Sequence, residues 1–94
     1  MRIDEFVSTL ADPEPPLVSP LLRALWLDGK GDWEGAHRVA QGVDNPAGAW
    51  VHAYLHRKEG DLANARYWYR RARKAEATDS MDAEWRRIVT ALLT

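Results

Sequence analysis

The sequence predicts an all-α protein of five to six helices, arranged as antiparallel hairpins, and three observations lead to this fold class. Most clusters of Gly, Pro, Asp, Asn or Ser stand where helices would begin or end. The C-terminal segment carries apolar residues at helical spacing. Two stretches in the middle of the chain, residues 24–40 and 53–69, resemble each other and each predicts a helix, a tight turn and a second helix.

The N-terminal segment predicts a short helix followed by a connector without regular structure. Ile3, Phe6, Val7 and Leu10 lie at helical spacing within residues 1–10. The following "ADPEPP" at 11–16 contains three prolines, which favour a stiff, extended backbone. We therefore expect residues 1–18 to hold one helix and a Pro-rich connector.

Four helices follow from capping signals in the middle of the chain. Ser, Asp or Asn precedes each one as a candidate N-cap, Pro occupies the first position of two, and Gly closes three. The capping residues are Ser19, Asp32, Asn45 and Asp61, the prolines Pro20 and Pro46, and the closing glycines Gly29, Gly42 and Gly60. These signals predict a first hairpin over residues 19–42 and a second over 44–77.

The last segment, 79–94, predicts an amphipathic capping helix. One stripe of this helix is apolar, and it consists of Met81, Trp85, Ile88, Val89, Leu92 and Leu93. Acidic residues stand at its start, where the helix dipole favours them. With 94 residues in total, the four segments together make one domain.

The two similar stretches resemble the tetratricopeptide repeat. Their small residues and Gly-Asp turns coincide at a constant offset of 29 positions. The matching residues are Ala24 and Ala53, Gly31-Asp32 and Gly60-Asp61, Trp33 and Leu62, and Ala36 and Ala65, with Tyr69 and Ala72 completing the second unit. The resemblance implies a right-handed stack of two hairpins, in which alanines let the helix backbones approach closely.

The chain departs from that family in two features. Its offset of 29 is shorter than the family period of about 34 residues, and Ala40 occupies the position of the expected aromatic residue. The sequence of residues 49–72 is also similar to that of small uncharacterised bacterial proteins, a resemblance that implies no function. Cysteine is absent, so disulfides and Cys-based metal centres are excluded. No membrane span or signal peptide is predicted, and we expect a cytoplasmic protein.

Charge is distributed unevenly, which predicts a basic surface. Residues 52–74 hold seven basic and two acidic residues, although the net charge of the chain is −1. Arg66, Arg70, Arg73 and Lys74 follow helical spacing and line one face of the fourth middle helix. This stripe predicts a protein or peptide partner of acidic character. Nucleic acid is the alternative, although an overall pI of about 6.3 is low for that class.

A second candidate binding surface follows from the repeat resemblance. The first helices of stacked hairpins line a concave groove, and the residues expected there are Leu21, Leu25, Trp50, Tyr54 and Arg57. Aromatic residues beside an Arg are typical of peptide-binding hot spots. Two alternatives remain open: a terminal helix covers this groove, or an uncovered aromatic face drives homo-oligomerisation.

Two histidines form the third candidate site. His52 and His56 share a helix face at i and i+4, Glu59 continues that face, and His37 could join them from a neighbouring helix. In the repeat resemblance the two positions are packed core positions, so we favour packed histidines and expect no metal or cofactor. No catalytic motif is present, and the sequence predicts a protein-interaction module rather than an enzyme.

Overall fold

Six α-helices form the protein, and no residue adopts a β-strand. The computed structural model describes residues 1–94. The helices are α1 (Ile3–Ser8, continued by a 3-10 turn at Thr9–Ala11), α2 (Pro20–Gly29), α3 (Trp33–Gln41), α4 (Pro46–Glu59), α5 (Leu62–Ala72) and α6 (Met81–Leu93). The predicted all-α fold class is confirmed, with the larger of the two expected helix numbers.

The two Gly-Asp sequences form matching turns between consecutive helices. Gly31 and Gly60 both adopt a left-handed backbone, with φ of 88° and 89°, a conformation that costs little without a Cβ atom. Each following aspartate donates its backbone N–H to a carbonyl of the preceding helix: Asp32 to Leu27 and Asp61 to His56. These are the hydrogen bonds of a Schellman motif, which ends one helix and reverses the chain.

Side-chain caps start four of the helices, largely as the sequence predicts. The carboxylates of Asp32 and Asp61 and the side-chain oxygens of Asn45 and Ser80 each accept a backbone N–H from the first turn of their helix. Ser19 differs, because it precedes α2 without making a side-chain cap bond. There Pro20 presets the backbone of the first turn.

One hydrophobic core of 20 buried residues connects the helices. The most extensive helix–helix contacts join α2 to α3 and α4 to α5, as expected for two hairpins. Small residues line the second helix of each hairpin, where Ala36, Ala40, Ala65 and Ala72 are all buried. Their size permits the close approach of the helix backbones. The handedness of the stack and the likeness to tetratricopeptide repeats stay predictions.

The terminal helix α6 packs against α2 and α4, and α1 packs against α6. Trp85 of α6 is buried, and its indole Nε1 donates a 2.9 Å hydrogen bond to the backbone carbonyl of Leu25. Phe6 of α1 is fully buried, with its ring 5.9 Å from that of Trp85. Contacts of α6 with α1, α2 and α4 therefore extend the core toward both chain ends.

Candidate functional site

All three histidines of the chain converge at one place. His37 comes from α3, and His52 and His56 come from α4, where their i, i+4 spacing places them on one face. The Nε2 atoms of His37 and His52 are 3.2 Å apart. One ligand-capable nitrogen from each of the three rings lies within 4.8 Å of the other two. We name this group the three-histidine cluster.

Two tryptophans pack against the cluster, each on a different histidine. The ring of Trp33 stacks on His37, with centroids 4.9 Å apart, and the ring of Trp68 stacks on His52 at 4.0 Å. Trp33 is itself fixed, since its Nε1 donates a 2.7 Å hydrogen bond to the backbone carbonyl of Leu55. The ring planes of His37 and His52 are therefore set by packing before any ligand binds.

His56 has a polar partner at each ring nitrogen. Its Nδ1 lies 2.7 Å from Glu59 Oε1, and its Nε2 lies 3.3 Å from the side-chain nitrogen of Asn64. Because a carboxylate only accepts hydrogen bonds, Glu59 favours the tautomer with the proton on Nδ1. His56 then keeps its lone pair on Nε2. The side chains of His52 and His56 are buried, and His37 is half-buried at the solvent edge of the cluster.

Burial favours the neutral form of two rings in this cluster. The pKa of His52 is lowered to about 4, first by burial and then by the neighbouring imidazoles of His37 and His56. The pKa of His37 is lowered by burial and by His56, and Glu59 opposes this effect. At neutral pH these two imidazoles are uncharged, and each offers one nitrogen lone pair as an acceptor or a ligand.

The lowered pKa of His52 predicts that the metal-free protein loses stability in mild acid. The unfolded chain binds more protons than the folded one between about pH 6.5 and about pH 4. The stabilisation that comes from the neutral His52 ring is therefore complete above this pH range and is lost as the pH falls through it. From about pH 7.5 to about pH 5 we expect a loss of about 2 kcal/mol. Urea unfolding at a series of pH values, in the presence of a chelator, measures it.

The control for this prediction is His52→Gln, which cannot titrate. The groups facing His52 are the rings of His37 and His56 and, across Trp68, the guanidinium of Arg71. His37 adds to the slope in the same direction, so His52→Gln should flatten the profile without abolishing it. An unchanged slope in that variant would show that His52 is not the titrating group.

The predicted basic stripe lies on the exposed side of α5. Five side chains of α5 and the two residues that follow it are cationic and exposed, and we call them the basic surface: Arg66, Arg70, Arg71, Arg73 and Lys74. No acidic residue occurs from 62 to 75. Tyr67 is 44% exposed beside Arg71, whose guanidinium lies 5.8 Å from the Tyr67 ring and 5.2 Å from the Trp68 ring.

The cations of the basic surface form solvent-exposed ion pairs or none at all. Arg66 pairs with Glu76 at 3.0 Å, where both side chains are 55% exposed, and Arg71 lies 3.7 Å from Asp44. Arg70 and Arg73 form no salt bridge among the eight in the structure. Exposed pairs of this kind contribute little to stability. The charges are therefore free to meet a partner at small cost.

The residues expected in the groove are largely buried, and the groove itself stays a prediction. Trp50 and Tyr54 are buried, and the side chain of Arg57 is only 12% exposed because it pairs with Glu84 of α6. These three side chains therefore offer little surface to a partner. Lys74 differs from these residues, since it is exposed and its ammonium lies 4.3 Å from the Trp50 ring centroid.

Sequence reasoning missed two buried carboxylates that hold α4 in place. Asp28 of α2 accepts from the Tyr54 hydroxyl at 2.7 Å and from Lys58 at 2.9 Å. Glu84 of α6 is fully buried and accepts from Arg57 at 2.9 Å and from the Tyr69 hydroxyl at 2.6 Å. Burial and these acceptors raise the pKa of both tyrosines above the usual range. Every buried polar side-chain atom has a hydrogen-bond partner.

Comparison with protein-family models, curated proteins and solved structures finds no match to this chain. None of the six helices combines the length and the apolar character that crossing a membrane requires. The function therefore has to be argued from the chain's own surfaces and side chains.

Proposed function

We propose that the protein is an interaction module that binds an acidic segment of a partner protein through the basic surface of α5. The observation that supports this most directly is the pair of exposed, unpaired guanidiniums of Arg70 and Arg73 on a helix without acidic residues. Guanidinium groups recognise carboxylates through paired hydrogen bonds. The overall net charge of −1 restricts this attraction to one face.

The neighbouring rings suit the same partner. Tyr67 is exposed and lies beside Arg71, so an apolar residue within an acidic peptide has a ring to pack against. Aromatic and Arg side chains are enriched where interfaces have most of their binding energy. Residues 62–72 form one helix that is fixed to the core by Ala65, Tyr69 and Ala72, so the basic surface is held in a defined geometry.

Reversing two charges is expected to weaken this binding. The probe is a fluorescent peptide of alternating Glu and Leu, titrated at low salt, with its Gln-Leu counterpart as the neutral control. Arg70→Glu/Arg73→Glu should weaken binding at least tenfold, about 1.4 kcal/mol or more. Both side chains are exposed and unpaired, so the variant should keep the helical circular dichroism spectrum of the wild type.

The matched control is Arg23→Glu/Arg38→Glu, which makes the same charge change on exposed positions of α2 and α3. It should weaken peptide binding less than about threefold, through long-range attraction only. Equal losses in the two double variants would show that only net charge matters and would contradict the proposed surface. An oligothymidine that binds more tightly than the acidic peptide would favour nucleic acid as the partner class instead.

A further inference from the structure

We propose that the three-histidine cluster binds a divalent late first-row transition-metal ion, with Zn²⁺ the ion whose geometry fits best. A tetrahedral Zn²⁺ with bonds of about 2.0–2.1 Å to two imidazoles sets their nitrogens about 3.3 Å apart. The Nε2 atoms of His37 and His52 are 3.2 Å apart already. A nitrogen of His56 lies within 4.8 Å of both, so a small inward shift completes three ligands.

A hydrogen bond between two imidazoles explains only part of this arrangement. That hydrogen bond involves only His37 and His52, whereas the ring of His56 also lies within the cluster. The ring of His37 stands edge-on to both α4 histidines, with interplanar angles of 81° to His52 and 73° to His56. The rings of His52 and His56 are parallel within 9°. One ring from α3 therefore stands edge-on to two parallel rings from α4, and each of the three rings has a nitrogen within 4.8 Å of the other two.

The surroundings of His56 match those of metal-binding histidines. Glu59 accepts from Nδ1 at 2.7 Å, and such a carboxylate orients the ring and leaves Nε2 for the ion. Asn64 now lies at Nε2, 3.3 Å away, and an ion would displace that weak contact. The carboxylate would also offset part of the positive charge that the ion brings into the cluster.

The proposed ion can reach the cluster from solvent, and packing holds two of the three rings in place. Trp33 and Trp68 fix the outer faces of His37 and His52, while the half-buried ring of His37 borders the solvent. Sites with three histidines leave a fourth position to water or to an added ligand. Imidazole ligands favour Zn²⁺ and Cu²⁺ over Mg²⁺ or Ca²⁺, which prefer oxygen. The proposal thus predicts selectivity as well as binding.

Calorimetric titration of the untagged, chelator-treated protein with Zn²⁺ tests the proposal. We expect one ion per chain, with Mg²⁺ giving only heats of dilution. His37→Gln should weaken Zn²⁺ binding at least about a hundredfold, because it removes a ligand. Glu59→Gln should weaken it about tenfold, which is typical for the loss of a side chain that orients a ligand. Glu76→Gln, which changes an exposed carboxylate away from the cluster, should bind as the wild type does.

Co²⁺ provides a second, spectroscopic readout of the same site. Its visible absorption should show the intense bands of a tetrahedral site in the wild type and lose them in His37→Gln, a change at a half-buried position. Circular dichroism verifies that each variant is folded. Absence of saturable Zn²⁺ binding, or binding that His37→Gln leaves unchanged, would overturn the proposal.

Discussion

Replacing Glu84 with alanine is expected to lower the free energy of unfolding by about 3–5 kcal/mol, because it leaves a buried cation without its partner. The Glu84 carboxylate is fully buried and accepts hydrogen bonds from Arg57 at 2.9 Å and from the Tyr69 hydroxyl at 2.6 Å. Arg57 would retain only the backbone carbonyl of Asp79. Urea unfolding monitored by tryptophan fluorescence measures the change.

Two further variants give this experiment its contrast. Glu76→Ala removes an exposed carboxylate that also pairs with an arginine, and it should cost less than about 1 kcal/mol. Replacing both partners, as Arg57→Met/Glu84→Leu, should recover much of the loss, since an apolar pair leaves no buried charge unpaired. A Glu84→Ala cost as small as that of Glu76→Ala would contradict the buried ion pair.

The fold could be predicted from the sequence because its signals are local. Capping residues, helix-breaking glycines and periodic apolar positions act within a few residues, and the six helices follow from them. Gly31 and Gly60 illustrate such a local signal, since the same Gly-Asp sequence forms the same turn at both positions. The burial of the residues expected in the groove could not be predicted, because the apolar stripe of α6 does not specify its partner helix.

The candidate sites show the same limit in their side chains. The sequence places Arg57 among the expected groove residues and does not single out Glu84, yet the two pair across 27 positions. The i, i+4 spacing within α4 predicts that His52 and His56 share a face. It does not show that His37 joins them, because the approach of α3 to α4 depends on the turn between these helices. Tertiary contacts of this kind leave no periodic signal in a single sequence.

Gly48→Ala, a change in the first turn of α4, is expected to destabilise the protein by about 3 kcal/mol. In most helices this change is stabilising by up to about 1 kcal/mol. Here a Cβ atom at position 48 would lie only 3.0 Å from the backbone carbonyl carbon of Val43 and would overlap its oxygen. Because both atoms belong to the backbone, no side-chain rotation relieves the overlap, and the start of α4 must move.

Gly42→Ala is the matched control on the other side of the turn between α3 and α4. Gly42 has a φ of −79°, and its added Cβ would approach no atom closer than 3.4 Å. We expect this variant to unfold at the same urea concentration as the wild type or slightly higher. If both variants behaved alike, the close approach of residue 43 to α4 would be wrong. A loss confined to Gly48→Ala would instead support the close approach of the Val43 backbone to the first turn of α4.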